Sequence, residues 1–192
     1  MVDPNESEVD LSNHSTYYAI AYKHLQSVKQ RVAARDARKE LTDDNIDYIC
    51  KQNAAIHRET IVAIIFSALT LEAFINHYGL MKYSKRFFTN HLDKMNPRTK
   101  WLLLPRLITG KGLSTDSQEY EMLTLLFRLR DELVHYKTRR KKVSDLQFED
   151  WMTEKNADNA VNTVSLLASA LENLDPTVDI SWLDAAATDP YA

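Results

Sequence analysis

The chain of 192 residues has one cysteine, three glycines, five prolines and a formal net charge of only −3. A single cysteine, Cys50, excludes an intrachain disulfide framework and any cysteine-based zinc site, and it fits a reducing compartment such as the cytoplasm. The scarcity of glycine and proline, with no period-two alternation of β-branched residues, argues against a sheet and for an all-helical architecture. The small net charge gives no whole-protein field of the kind that marks a nucleic-acid binder. Long hydrophobic runs are missing too. The most apolar stretch, Ile61 to Leu71, is bounded by Glu59 and Glu72 and is shorter than a bilayer crossing, so it predicts a buried core helix, and no membrane is expected as a partner. Met1 to Asn13 is acidic and lacks the basic-then-apolar layout of a signal peptide.

No Gly/Pro/Ser-rich linker divides the chain, and the length suits one well-cored domain. The expected organisation is a flexible acidic N-terminus over 1–14, a single helical domain over 15–175 and an acidic tail over 176–192. Apolar positions at helical spacing predict a first helix from Thr16 to about Lys39. Thr42-Asp43-Asp44 reads as an N-cap before a long helical region that runs to Tyr78, with Gly79 as its C-cap and a kink or break near Gln52 to Ala54. Asn96-Pro97 restarts the chain as a short helix that Pro105 interrupts. Thr109-Gly110-Lys111-Gly112 is a turn, and it lacks the strand context and GKS/T spacing of a phosphate-binding loop. Ser117 to Tyr136 and Met152 to Leu174 complete the set, the last with a core stripe of Val161, Val164, Leu167, Ala168 and Leu171. Trp182 lies in the acidic tail and could dock on the bundle or on a partner.

What is present and unusual is concentrated at the end of the fifth segment. Arg130-Asp131-Glu132-Leu133-Val134-His135 runs directly into Lys137-Thr138-Arg139-Arg140-Lys141-Lys142. Counting about 100° per residue, Leu123, Leu126, Phe127, Leu133 and Val134 all fall within about 60° of Arg130, at the centre of the apolar stripe. A guanidinium in that place must be paired or kept for a purpose. His135 lies about 140° around the same helix, so two copies related by a two-fold axis would bring arginine and histidine together more readily than one copy. The five cations at 137–142 are either a phosphate-attracting patch or a solvated helix end whose charges complement the dipole. Arg86 and His91 repeat the bare spacing, but two phenylalanines follow Arg86 and no basic run follows His91.

The wording Leu125-Leu126-Phe127-Arg128-Leu129-Arg130-Asp131-Glu132-Leu133-Val134-His135-Tyr136 resembles the HEPN superfamily, whose signature is an arginine, a polar residue, a few mostly apolar positions and a histidine near a helix end. Phe66 to Gly79 is similar to the earlier core helix of that superfamily, and Lys100-Trp101-Leu102 through Gly110 to the segment before its motif helix. The resemblance covers roughly residues 60 to 140. It implies an up-and-down helical bundle, here with extra N- and C-terminal helices. It also implies a metal-independent endoribonuclease that needs no cofactor and acts as a homodimer, with the motif helices of two protomers forming one cleft. An RNA 2′-hydroxyl would attack the adjacent phosphate, leaving a cyclic phosphate and a 5′-hydroxyl. A toxin or defence effector, partnered by an antitoxin or a larger defence system, is the setting it implies.

The residue types suit those roles. Imidazole exchanges a proton near neutral pH, so His135 from each of two protomers could serve as base and acid. Arg130, always charged and bidentate, could stabilise the charge that grows on phosphorus. Lys137, Arg139, Arg140, Lys141 and Lys142 would hold flanking RNA backbone, with little sequence readout. Asp131 stands where asparagine is common in the superfamily; its charge could repel a phosphate, yet could also raise and orient His135. A second reading stays open. Glu72 shares a helix face with Ile65, Leu69 and Ile75, so it could reach Arg130 and form an ion pair that only orders a non-catalytic RNA-binding or dimerisation module. No His/Glu spacing gives a metal face, and no metal is expected.

Overall fold

The computed structural model of the protein describes residues 12–38, 42–135 and 153–188. Among the described residues there are seven helices and no strand: α1 His14–Asp36, α2 Asp43–Lys82, α3 Lys85–His91, α4 Pro97–Thr109, α5 Gln118–Val134, α6 Glu154–Leu174 and α7 Trp182–Thr188. The fold is all-α, as the composition predicts.

The axis of the bundle is α2, whose 40 residues extend about 60 Å at 1.5 Å per residue. Polar pairs set the direction of α1 against it: His24 with Glu59, Arg31 Nη1 to Gln52 Oε1 at 3.4 Å, and Arg35 Nη1 to Asn53 Oδ1 at 3.1 Å. Residue numbers rise along α1 as they fall along α2, so the two are antiparallel. Contacts of α1 with α6, Tyr18 to Ser165 and Lys29 to Asp158, make α6 antiparallel to α1 and therefore co-directional with α2. The remaining side of α2 is closed by α4 and α5. Leu71, Ile75, Trp101, Leu104, Leu126 and Leu167 are among the side chains enclosed where these helices meet, and this removal of apolar surface from water is the main drive for the assembly.

Three sequence expectations give way to packing. First, α2 shows no break near Gln52 to Ala54. The stretch contains neither glycine nor proline, and its polar side chains are taken up by the arginines of α1. Second, Gly79 does not cap α2; the helix continues to Lys82, and the Tyr83 N–H still reaches the Gly79 carbonyl at 3.0 Å. The glycine serves close approach instead, since a Cβ there would stand 2.4 Å from Phe88 Cε2 of α3. Third, α4 passes through Pro105 to Thr109. Pro105 is buried, and the helix is anchored at both ends. Asn96 accepts from the Arg98 N–H at 2.9 Å ahead of Pro97 at the first turn, and Gly110 closes the other end at φ 75°. Enclosure of Trp101 and Leu104 on the same helix offsets the one backbone bond that proline removes.

The segment after α6 folds back onto the bundle. Asp175 is buried, and its carboxylate accepts from Lys82 Nζ at 2.8 Å and from the Tyr78 hydroxyl at 3.1 Å. The Lys82 ammonium, followed by Thr177, holds the Asp175 carboxyl well below the usual carboxylate range, while burial and then Asp175 push the Tyr78 hydroxyl up. Past that anchor, Trp182 seats edge-on against His14, Phe74 and Tyr18, with ring centroids 4.9, 5.1 and 5.4 Å away. The bundle is thus where Trp182 docks. By length and composition α2 could cross a bilayer, with a window of mean hydropathy 1.6, of which 50% is buried against the other helices.

Candidate functional site on helices α2, α4 and α5

Helix α5 starts where Ser117 accepts from the Tyr120 N–H, with Glu119 and Glu121 in the first turn where the dipole favours negative charge. Leu123, Leu126, Phe127 and Leu129 are its buried face. The stripe ends in a change of character. Leu133 is half-buried, and Val134, expected on the buried stripe, is 55% exposed.

Arg130 lies between these two regimes, and its side chain keeps 23% of its surface accessible. Its Nη1 meets Asp131 Oδ1 at 2.9 Å and its Nη2 meets Glu72 Oε2 of α2 at 3.4 Å. The guanidinium carbon stands 5.4 Å from the centroid of the Phe127 ring, a cation–π distance. Its Nε is buried and has no hydrogen-bond partner. The sequence expectation that Glu72 could reach Arg130 is met in the structure. Because Glu72 and Asp131 keep 36% and 49% of their side-chain surface, this is a partly wet cluster, in which each pair contributes no more than about 1 kcal/mol.

His135 is the C-cap residue of α5, its N–H bonded to the Asp131 carbonyl at 2.9 Å, and its side chain is exposed. No hydrogen bond or ion pair joins His135 to Arg130 within the chain: the arginine turns onto α2 while the histidine faces solvent. The structure therefore brings together Arg130, Asp131 and Glu72 and leaves His135 to one side. Lys137, Arg139, Arg140, Lys141 and Lys142 lie outside the described residues. An open groove of about 480 Å³ follows the solvent side of α5, lined by Ser117, Tyr120, Thr124, Leu125 and Arg128 among others. Arg128 and His135 are seven residues apart, about two turns, so His135 continues that same face.

Lys100 is a residue the sequence reading missed. It is 2% exposed on α4, and its Nζ donates to Asn76 Oδ1 at 2.7 Å and to the Asp93 carbonyl at 2.6 Å, with the Phe88 ring 5.7 Å away. Burial pushes the ammonium below the ordinary lysine range, against the opposing pull of Asp93 and Glu72. The sequence signal for Lys100 is weak: it is a cation beside Trp101 and Leu104, both enclosed on the same helix. Glu72 and Asn76, one turn apart on α2, thus carry a polar seam from the arginine of α5 to the lysine of α4. No group of three or more His, Cys, Asp or Glu side chains able to hold a metal occurs among the described residues.

The chain matches no family model, no curated protein and no solved structure.

Proposed function

We propose that this protein is a HEPN-like, metal-independent endoribonuclease that works as a homodimer, in the role of a toxin or defence effector restrained by a partner. The observation that supports this reading most is the setting of Arg130: a fixed cation in the apolar stripe of α5, part-exposed, with an unpartnered Nε, five residues before the exposed histidine that caps the same helix. In the reaction, His135 of one protomer takes the proton of an RNA 2′-hydroxyl as its oxygen bonds to phosphorus. The P–O5′ bond breaks, and the leaving oxygen takes a proton from the second copy's His135, giving a 2′,3′-cyclic phosphate and a 5′-hydroxyl. Arg130 neutralises the charge that builds on the phosphoryl oxygens, and Asp131 holds the guanidinium in place. The cations at 137–142 grip the flanking backbone.

Cleavage of a labelled mixed-sequence RNA in EDTA, by the native chain and by His135→Ala, tests the reading. Products with cyclic-phosphate ends that the substitution reduces by about 10²-fold or more are expected. An inactive native chain overturns it. The second reading, a non-cleaving RNA-binding or dimerisation module, is favoured by the carboxylates already paired with Arg130. It requires salt-sensitive RNA retention with no products.

A further inference from the structure

A second polar concavity lies away from Arg130 and His135. A cleft of about 220 Å³ opens between the start of α1 and the later turns of α2, its lining including Ser12, Asn13, Tyr17, Ala73, Asn76 and His77. Lys100 determines what Asn76 offers there. An ammonium can only donate, so the 2.7 Å contact from Lys100 Nζ fixes Oδ1 of Asn76 toward the lysine and leaves the two Nδ2 hydrogens unclaimed by it. Asn13 is available as well, because its side chain does not cap α1. Ser12 Oγ lies 2.7 Å from His14 Nδ1, and the His14 and His77 rings are 5.4 Å apart.

The charge pattern points one way. No carboxylate lines the cleft. The acid that acts on His14 is Asp179, from the segment before α7, and its carboxylate already accepts from the Ser181 N–H at 2.9 Å. Lys100 supplies positive charge directly behind Asn76. With no carboxylate on the lining, a buried ammonium behind Asn76 and the Asn76 amide left with its donors, the cleft favours an oxyanion over a cation, and the Ser12, Asn13, Tyr17 and His77 side chains can supply further donors. The volume is below the roughly 300–1,000 Å³ of sites for larger ligands and suits a single compact group.

We infer that this cleft is a binding site for a phosphate-class oxyanion, held by the Asn76 amide, the His77 ring and the Asn13 and Tyr17 side chains. The phosphate is either free or the terminal phosphomonoester of a nucleic acid. The inference stands apart from the nuclease reading, since neither Arg130 nor His135 lines the cleft.

The test is an NMR titration of the native chain with inorganic phosphate at constant ionic strength and fixed pH. The His77 ring and Asn76 side-chain amide resonances are expected to move to saturation. Asn76→Asp is the discriminating variant: a carboxylate oxygen still accepts from Lys100, so the bundle is kept, while the amide donors are replaced by a negative charge. Its affinity for phosphate should fall by about tenfold or more, a change of about 1.4 kcal/mol. Ala73→Glu, which adds a carboxylate to the cleft lining while leaving Lys100 and Asn76 in place, should do the same. Non-saturating shifts in the native chain, or native affinity in both variants, overturn the assignment. A short 5′-phosphorylated RNA and its 5′-hydroxyl counterpart separate the sources. Tighter binding of the phosphorylated strand than of inorganic phosphate identifies the nucleic-acid end, and binding of inorganic phosphate alone identifies the free ion.

Discussion

Glu72 and Arg130 present a question that one substitution can divide. If the pair exists to order the bundle, Glu72→Gln should lower stability, though by no more than about 1 kcal/mol, because both side chains retain water contact. For a domain of this size that is a fall in Tm of about 2–4 °C. If instead the guanidinium is a working group held back by the carboxylate, the same change should leave Tm nearly unmoved and strengthen RNA binding, since it removes a negative charge from the surroundings of Arg130. Thermal melts and RNA binding measured on the same variant decide between the two. Lys100 is a different case. Its ammonium is enclosed and donates to Asn76 and the Asp93 carbonyl, so its removal would lose two part-buried charge-assisted hydrogen bonds, at about 1.5–3 kcal/mol each. Of the two cations placed in apolar stripes, one is therefore a fastening and the other retains an accessible face.

Two helix contacts carry predictions at the scale of the element. Alanine is intrinsically better than glycine in a helix by about 1 kcal/mol, and Gly79 lies inside α2. Gly79→Ala should nonetheless destabilise the protein, by about 1–3 kcal/mol, because the new methyl would meet Phe88 at 2.4 Å and force α3 off α2. A urea melt with an increased midpoint would show that α3 yields freely. The docking of α7 should depend on pH. His14, against which Trp182 rests, has its pKa lowered to about 4, first by burial and then by His77, with Asp179 opposing. A base whose folded pKa lies below its unfolded value near 6.5 is tolerated in the fold as the neutral ring. The stability it permits is complete above pH 6.5 and is lost progressively as pH falls toward 4. Trp182 fluorescence should therefore report release of α7 over that window, and His14→Phe should flatten the response. An unchanged pH profile in His14→Phe would assign the transition to other groups.

For the whole molecule, the proposed activity needs two copies, because α5 presents Arg130 toward α2 and His135 toward solvent. Light scattering should give a dimer at concentrations that cleave RNA; a monomer that cleaves would overturn the two-copy site. RNA affinity should weaken with salt. Replacing Arg139 and Arg140 by glutamine should make the slope of log K against log salt shallower by about 1.4, if each contacts one phosphate of a single strand.

The sequence by itself determined the helical class, the α5 and α6 core stripes and the conspicuous place of Arg130, because these follow from residue type and a 3.6-residue period acting over short range. The tertiary structure decided the rest. Whether Gly79 ended a helix or let α3 approach depended on Phe88, nine residues on, and whether Pro105 ended α4 depended on the core that encloses it. Lys100 reads as an ordinary helix lysine until α2 supplies Asn76 and Asp93 supplies its carbonyl. The reach of Glu72 to Arg130 could be raised from helix faces and was decided only by the distance between α2 and α5. Local propensity is written along the chain, whereas the partners that reach Lys100 and Arg130 from other elements come from residues 7 to 58 positions away, and only the packed bundle brings them into contact.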